Sequence, residues 1–390
     1  MKRPLWISLI ESILAVIPIV FLAGIAYFFI ALLGGFQFYA PLTVVVAAAL
    51  AVYIMCSIFG WFTPRIRRIA FACFAGLCLL ATGGYELNKA YVNSLAEVSE
   101  KEISLEQYQP FHADSKIAVL GRPASYQIQG EIPRLDGATA LYPLYSAFVQ
   151  AVYPEDNYDL YNFNNHPVMC SSTSYAYQRL ISGETDIIFA AAPSLSQQKE
   201  AKLAGRELVL TPIGREAFVF FVNKRNPVDG LTTEQIQDIY SGELTNWKKA
   251  GGKHNKIRAF QREENSGSQT MLQKIMQDRR LMTAPHEDVM DLMSGIISMT
   301  SSYRNYKNAI GFSFLYYASV MNRSDEIKLL AIDGVEPNKD TIKNGTYPYT
   351  VSFYAVTAGN PSPNTQPFLD WIVSPEGQEL VSKTGYVPIN

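Results

Sequence analysis

Between Ser12 and Pro64 the chain carries no Asp, Glu, Lys or Arg. A helix of a water-soluble domain keeps one polar face, so an uncharged run this long has to bury every side, as a bilayer does for helices of about 20 residues. Gly34-Gly35 through Pro41 divides the run and predicts two spans, about 12–33 and about 42–62; a third uncharged run, Ile69 to Tyr85, follows Arg65, Arg67 and Arg68. Lys2 and Arg3 precede the first span, and the turn between the first two is uncharged. The positive-inside bias then puts the N-terminus and the arginine turn in the cytoplasm and, after three crossings, everything beyond Tyr85 outside. A cleaved signal peptide shares the basic start, but it is shorter than this run and is not followed by two more apolar ones.

Composition agrees with a chain in two parts. The 48% of hydrophobic residues is an average over an apolar anchor and a polar globule. Up to Tyr85 five cations face Glu11 alone, a net of +4, so the formal total of −2 leaves −6 for the remainder. That mildly acidic outer part excludes a nucleic-acid partner, and it requires any anion to be captured by local donors rather than by a long-range field. Cys56, Cys73 and Cys78 fall in the apolar runs, which leaves Cys170 alone outside with no disulfide partner. It reads as a small packed residue rather than a reactive thiol. His112, His166, His254 and His286 have no metal-ligand spacing, and no cofactor is called for.

Within the outer part, Arg262 stands four residues before Ser266-Gly267-Ser268, a turn opening a helix expected over Thr270 to Gln277. A guanidinium, two hydroxyls and the exposed amides of such a turn make an oxyanion cradle. Gly137-Ala138-Thr139 leads into the apolar helical run Leu141 to Val152, and Ser171 to Ser174 leads into Tyr175 to Ile181, so three hydroxyl-rich turns each open a helix. Any one of them alone reads as an ordinary N-cap. Three together with an arginine suggest one anion held by several helix N-termini.

Residues 86–130 read as a connector: Leu87, Tyr91, Leu95 and Val98 at helical spacing, then short strands at Lys116–Leu120 and Ser125–Gln129. Beyond it, expected strands at Asp186–Ala191, Ala217–Val222, Ala309–Phe314 and Val351–Val356 alternate with expected helices at Ala140–Val152, Ser174–Ile181, Thr233–Tyr240 and Gln366–Ile372. That alternation is α/β, with ligands at strand carboxyl ends and helix starts. Asp186 reads as structural, Trp247 and Tyr386 as packing residues, and Arg215-Glu216 as either a hinge ion pair or a second cleft contact.

The segments Gly137-Ala138-Thr139 with Leu141-Tyr142-Pro143, Ser182 to Ile187, Val222 to Pro227, Leu231-Thr232 through Ile239 to Trp247, Arg262 to Ser268, Ala309 to Phe312, Ser374 to Gln378 and Gly385 to Pro388 occur in an order that resembles the phosphate-binding proteins of ABC importers. These are two-lobed type II periplasmic binding proteins, and the likeness covers roughly residues 131–390. It implies phosphate held through Ala138, Thr139, Thr173, Arg262, Ser266, Gly267 and Ser268, with Glu264 orienting the arginine. At one position the chain departs: Ala191 stands where the family has an aspartate that accepts the proton of bound phosphate. Without an acceptor, a buried phosphate hydroxyl costs roughly 1–3 kcal/mol. Either Asp136 supplies the acceptor or the site prefers an anion with no proton to donate.

The expected organisation is a membrane part over 1–85, the connector over 86–130 and a two-lobed binding domain over 131–390. Lobe one would hold about 131–217 plus 355–390, with lobe two inserted between crossings near 217–223 and 351–357. The expected role is anion binding for ABC-type uptake with a permease as partner; an anion sensor signalling through its three helices is the alternative. An enzyme using Ser266 or Ser268 as nucleophile lacks any His or Lys tied to it by a motif.

Overall fold

The computed structural model describes residues 4–32, 36, 38–93, 104–158, 160, 167–283, 289–290, 308–321, 325, 327–359 and 362–389. They fall in two compact units, Met1–Ser94 and Leu95–Asn390.

The first unit is helical: α1 (Leu5–Leu32), α2 (Tyr39–Phe59) and α3 (Pro64–Asn93). All three helices are long and apolar enough to cross a membrane, with mean hydropathies of 2.7, 2.5 and 1.5 over their most apolar windows. Inside α1 the Ser12 hydroxyl donates to the Ser8 carbonyl at 2.7 Å, so a polar group in an apolar helix is satisfied locally. Gly60, in the left-handed region, closes α2, and Pro64 opens α3 at the position where its missing N–H is harmless. α3 does not stop near Tyr85 as expected. No Pro or Gly follows Gly84 to break it, so the span and the start of the connector are one helix that carries Leu87 and Tyr91. Leu95 and Val98 lie outside the described residues, as do His166 and His286.

The second unit is built on a seven-stranded mixed sheet. Its strands are β1 (Leu135–Gly137), β2 (Ile187–Ala190), β3 (Leu208–Asn223), β4 (Arg258–Ala259), β5 (Ala309–Phe314), β6 (Ile327–Leu329) and β7 (Thr350–Ala358). They run in the order β1-β2-β7-β3-β5-β4, with β6 also on β3. β3 and β7 pair antiparallel from Ala217↔Thr350 to Leu208↔Ala358 and pass between two hydrophobic cores. One core gathers residues between Leu105 and Ile213 with Tyr316, Tyr317, Met321 and residues between Phe353 and Tyr386; the other gathers further residues between Ala217 and Tyr349 with Val387. β3 starts well before the expected Ala217 because the sheet accommodates Pro212, a residue that argues against a central strand. Pro212 lies opposite Tyr354, at a register shift between Phe353 and Tyr354 where the regular ladder is interrupted anyway.

The expected strands at Lys116–Leu120 and Ser125–Gln129 do not form. Leu120 and Ile128 are buried in the first core, and Ile128 N–H donates to the Val152 carbonyl at 2.8 Å, so the segment straps the end of a helix instead of extending the sheet. The helices are α4 (Tyr142–Val152), α5 (Thr173–Ser182), α6 (Leu195–Leu203), α7 (Thr233–Ser241), α8 (Gly267–Met276), α9 (Thr365–Ile372) and α10 (Pro375–Thr384). α8 begins at Gly267 rather than Thr270, which makes Ser266 its cap and puts Gly267 and Ser268 in its first turn.

Candidate functional site

A cavity of about 90 Å³ lies between the two cores, lined by Ala138, Thr139, Ala140, Ser172, Thr173, Ser174, Arg262, Ser266, Gly267, Ser268, Ser313, Phe314 and Tyr317. Seven of the eight residues singled out as binding candidates are in this wall, and three helical starts converge on it. A 3₁₀ turn at Thr139–Leu141 runs into α4, whose second residue, Pro143, presets the helical φ. Gly137 is required before it: a Cβ there would stand 2.5 Å from the Phe189 carbonyl oxygen, across the β1–β2 pairing. α5 starts after Ser172, which holds φ +79, a left-handed conformation strained for a residue with a side chain. Neither the Ser172 nor the Ser174 hydroxyl has a hydrogen-bond partner among the described residues, and both are buried at the cavity.

The third start is fastened to the arginine. Ser266 Oγ accepts the Gln269 N–H at 3.2 Å. Gln269 in turn accepts the Arg262 backbone N–H at 2.9 Å on Oε1 and donates through Nε2 to Gln261 Oε1 at 3.1 Å. One glutamine thus clamps the strand carrying Arg262 to the helix carrying Ser268. Glu264, expected to orient Arg262, is instead exposed on the turn before α8. Asn265 on the same turn takes φ +68 and reaches across the cleft: Ser194 Oγ donates to its Oδ1 at 2.8 Å and Gln197 Nε2 to its carbonyl at 3.3 Å. These bonds hold the two sides of the cavity closed.

Asp136 is the eighth candidate, and the structure places it behind the wall rather than in it. It is fully buried; Oδ1 accepts the N–H groups of Gly137 and Ser171 at 2.7 Å each, Oδ2 accepts the Ser171 hydroxyl at 2.6 Å, and Arg179 Nε forms an ion pair with Oδ2 at 3.1 Å. Burial pushes its carboxyl up while those bonds and Arg179 pull it down. With its oxygens engaged, Asp136 shapes the turns at Gly137 and Ser171 and is not placed to accept a ligand proton. Ala191 is close to the site: a Cβ on Gly267 would lie 3.5 Å from the Ala191 Cβ and 3.3 Å from Thr173 Oγ1. Among the described residues, none that lines the cavity is an acid.

Sequence reasoning missed Ser313, Phe314 and Tyr317. Ser313 and Phe314 directly follow Ala309 to Phe312, a segment already singled out, Tyr317 lies three residues beyond Phe314, and a strand end in an α/β sheet was the available signal. Asp186 is structural, held by Arg134 at 3.0 Å. Trp247 and Tyr386 are buried packing residues. Cys170 is buried, its thiol pushed up to about 12, and so stays protonated. Arg215 and Glu216 do not pair: the arginine donates to the carbonyls of Lys343 and Pro388 at 3.5 and 3.2 Å, while Glu216 accepts the Tyr316 N–H at 2.6 Å.

Two cores joined by a pair of crossing strands, with a small cavity lined by hydroxyls and an arginine between them, define a two-lobed solute-binding protein. The chain belongs to the PBP superfamily, whose domain model matches residues 125–376. It is 24% identical over 257 residues to the phosphate-binding protein PstS of Bacillus subtilis, covering 65% of this chain and 80% of that one. It is 25% identical over 268 residues to PstS of Pseudomonas aeruginosa, covering 62% and 80%. A crystal structure described as a phosphate ABC transporter substrate-binding protein from Clostridium perfringens, with bound phosphate, superposes with a TM-score of 0.50 at 25% identity, covering 66% of this chain and 99% of that one.

Proposed function

We propose that the outer unit binds inorganic phosphate or a closely related tetrahedral oxyanion and presents it for ABC-type uptake. The observation that carries the reading is the wall itself: three helical starts, hydroxyls without partners and Arg262 around a space the size of a small anion. The relatives named above, all phosphate-binding proteins, support it. A hydrolytic role has no support, because among the described residues no His or Lys lines the cavity to activate a serine. Calorimetry of the purified protein against phosphate and sulfate tests the reading, and absence of heat from both anions with well-folded protein would end it.

The missing carboxylate sets the expected selectivity. Serine and threonine hydroxyls donate or accept as needed, so they receive a phosphate proton and equally donate to sulfate, which a carboxylate cannot do. Sulfate should therefore bind within about tenfold of phosphate, a difference of about 1.4 kcal/mol. Ala191→Asp restores a fixed acceptor beside Gly267 and should weaken sulfate relative to phosphate by about tenfold or more. Unchanged selectivity in that variant would remove Ala191 from the specificity argument.

We further propose that α1, α2 and α3 span the membrane with the arginine turn inside and the binding unit outside. With the four native cysteines replaced, a Cys at Ser362 should react with an impermeant maleimide on intact cells and a Cys at Arg65 should not; the reverse pattern inverts the topology. Three spans exceed what a tether needs, and this favours, as a second reading, a sensor that reports occupancy through the helices. A bound-state change in the reactivity of Cys56 or Cys73 would speak for it.

A further inference from the structure

α1 packs closely along α2, whereas α3 meets α2 far more sparsely. Between α2 and α3 runs an apolar groove of about 670 Å³, lined by Ala48, Ala49, Tyr53, Cys56, Phe71 and Phe74 among others. Its origin is legible in the side chains. Ala48, Ala49 and Ala70 leave space, while Tyr53 and Phe71, with ring centroids 5.4 Å apart, prop the helices at that separation. Along α2 the lining extends from Val46 to Cys56. At about 1.5 Å per residue that is about 15 Å, or half of a hydrocarbon core about 30 Å thick. The groove therefore has the length of one leaflet, and it lies at the end of the helices joined by the Gly60–Thr63 turn.

One polar side chain enters this apolar lining. Arg67 is half-buried among the groove residues, and its Nε is shielded from solvent with no hydrogen-bond partner among the described residues. Its neighbours differ: Arg68 Nε donates to the Pro64 carbonyl at 3.3 Å, and Arg65 is exposed and outside the groove. A guanidinium this close to a helix start reaches the headgroup layer, where an anionic phosphate can meet it. An acyl-chain groove ending on a guanidinium whose Nε has no partner among the described residues is complementary to a lipid with an anionic phosphate headgroup.

We propose that the α2–α3 groove is a binding site for an anionic phospholipid of the arginine-side leaflet, with its phosphate on Arg67 and an acyl chain along Ala49, Tyr53 and Phe74. This rests on the reading that the three helices span the membrane. Flotation with vesicles after alkaline carbonate washing checks that reading separately, and a chain that fails to float loses both the topology and the lipid site.

The lipid site itself is tested on the full chain in nanodiscs of equal phosphatidylglycerol and phosphatidylethanolamine, transferred to detergent and weighed by native mass spectrometry. The wild type should retain phosphatidylglycerol about fivefold or more over phosphatidylethanolamine, as one cation near a headgroup provides. Arg67→Gln should abolish the enrichment, Arg67→Lys should keep part of it, and Arg65→Gln should keep nearly all. Ala49→Phe, which fills the groove and leaves the cation, should reduce retention of both lipids. Helical content by circular dichroism identifies any variant that misfolds, and the wild-type preference together with Arg65→Gln decides the matter without it. Equal loss in Arg65→Gln and Arg67→Gln would mean diffuse charge attraction and no site. An unselective wild type, or a co-purifying protein chain that occupies the groove, would equally overturn the proposal.

Discussion

Arg262→Ala is expected to weaken phosphate binding more than any other single change in the wall, by roughly 2–5 kcal/mol, on the order of 30-fold to several-thousand-fold. Among the described lining residues the ligand's charge is otherwise met by hydroxyls and amides, and removing their one formal cation takes away the counter-charge they supply to a buried anion. Arg262→Lys separates charge from geometry. It keeps the cation but replaces the planar fork with a point charge, and it should recover only part of the loss. Gln269 holds the backbone N–H of residue 262, a bond that neither substitution removes, so this fastening of the strand to α8 should persist in both variants. Titration calorimetry with phosphate alongside thermal melts without ligand reads both quantities. An alanine variant that binds like the wild type would remove Arg262 from the anion's shell.

What the sequence made legible follows the range of the interactions involved. Charge-free runs and hydroxyl-Gly turns act within a few residues, so the three apolar helices and the turns at Thr139, Thr173 and Ser266 were all readable. Failures came where a distant residue decides the local outcome. Lys116–Leu120 has strand-like residues, but the chain is needed against α4, and Ile128 takes its bond from Val152. Pro212 argues against the strand that contains it until its partner strand provides a register shift opposite. Asp136 was read as a ligand contact from its place beside Gly137. Only the fold brings Ser171 and Arg179 around its oxygens. In each case the deciding partner lies more than thirty residues away or on another element, and no local pattern encodes it.

The same logic makes Glu216 the most consequential buried charge outside the wall. It lies on β3 opposite Val351 of β7, where the chain passes between lobes, and among the described residues its carboxyl accepts the Tyr316 N–H at 2.6 Å. Tyr316 and Tyr386 are the titratable groups that face it, each with its own hydroxyl pushed up by burial, and neighbouring Arg215 is turned to carbonyls. With no cation beside it among the described residues, burial pushes the Glu216 carboxyl up to about 8 from 4.5. The folded chain then holds a proton that the unfolded chain releases, so stability is full below about pH 4.5 and declines as pH rises through about 8. The loss is on the order of 3–5 kcal/mol at most.

Glu216→Gln keeps an acceptor for Tyr316 and stays neutral at every pH. It should match the wild type near pH 5 and melt higher by roughly 5–10 °C at pH 9, at about 2–3 °C per kcal/mol for a unit of this size. Because Tyr316 adjoins Tyr317 in the cavity wall, ionised Glu216 should also loosen that side of the site. Wild-type phosphate affinity should therefore fall relative to the glutamine variant above pH 8. Referring each measurement to the variant cancels the anion's own ionisation and every other titrating group, so a difference that grows with pH belongs to residue 216. Melting curves that stay parallel from pH 5 to pH 9 would show that Glu216 is already ionised in the folded protein at neutral pH, in which case the hinge supplies a counter-charge that the Tyr316 amide alone cannot.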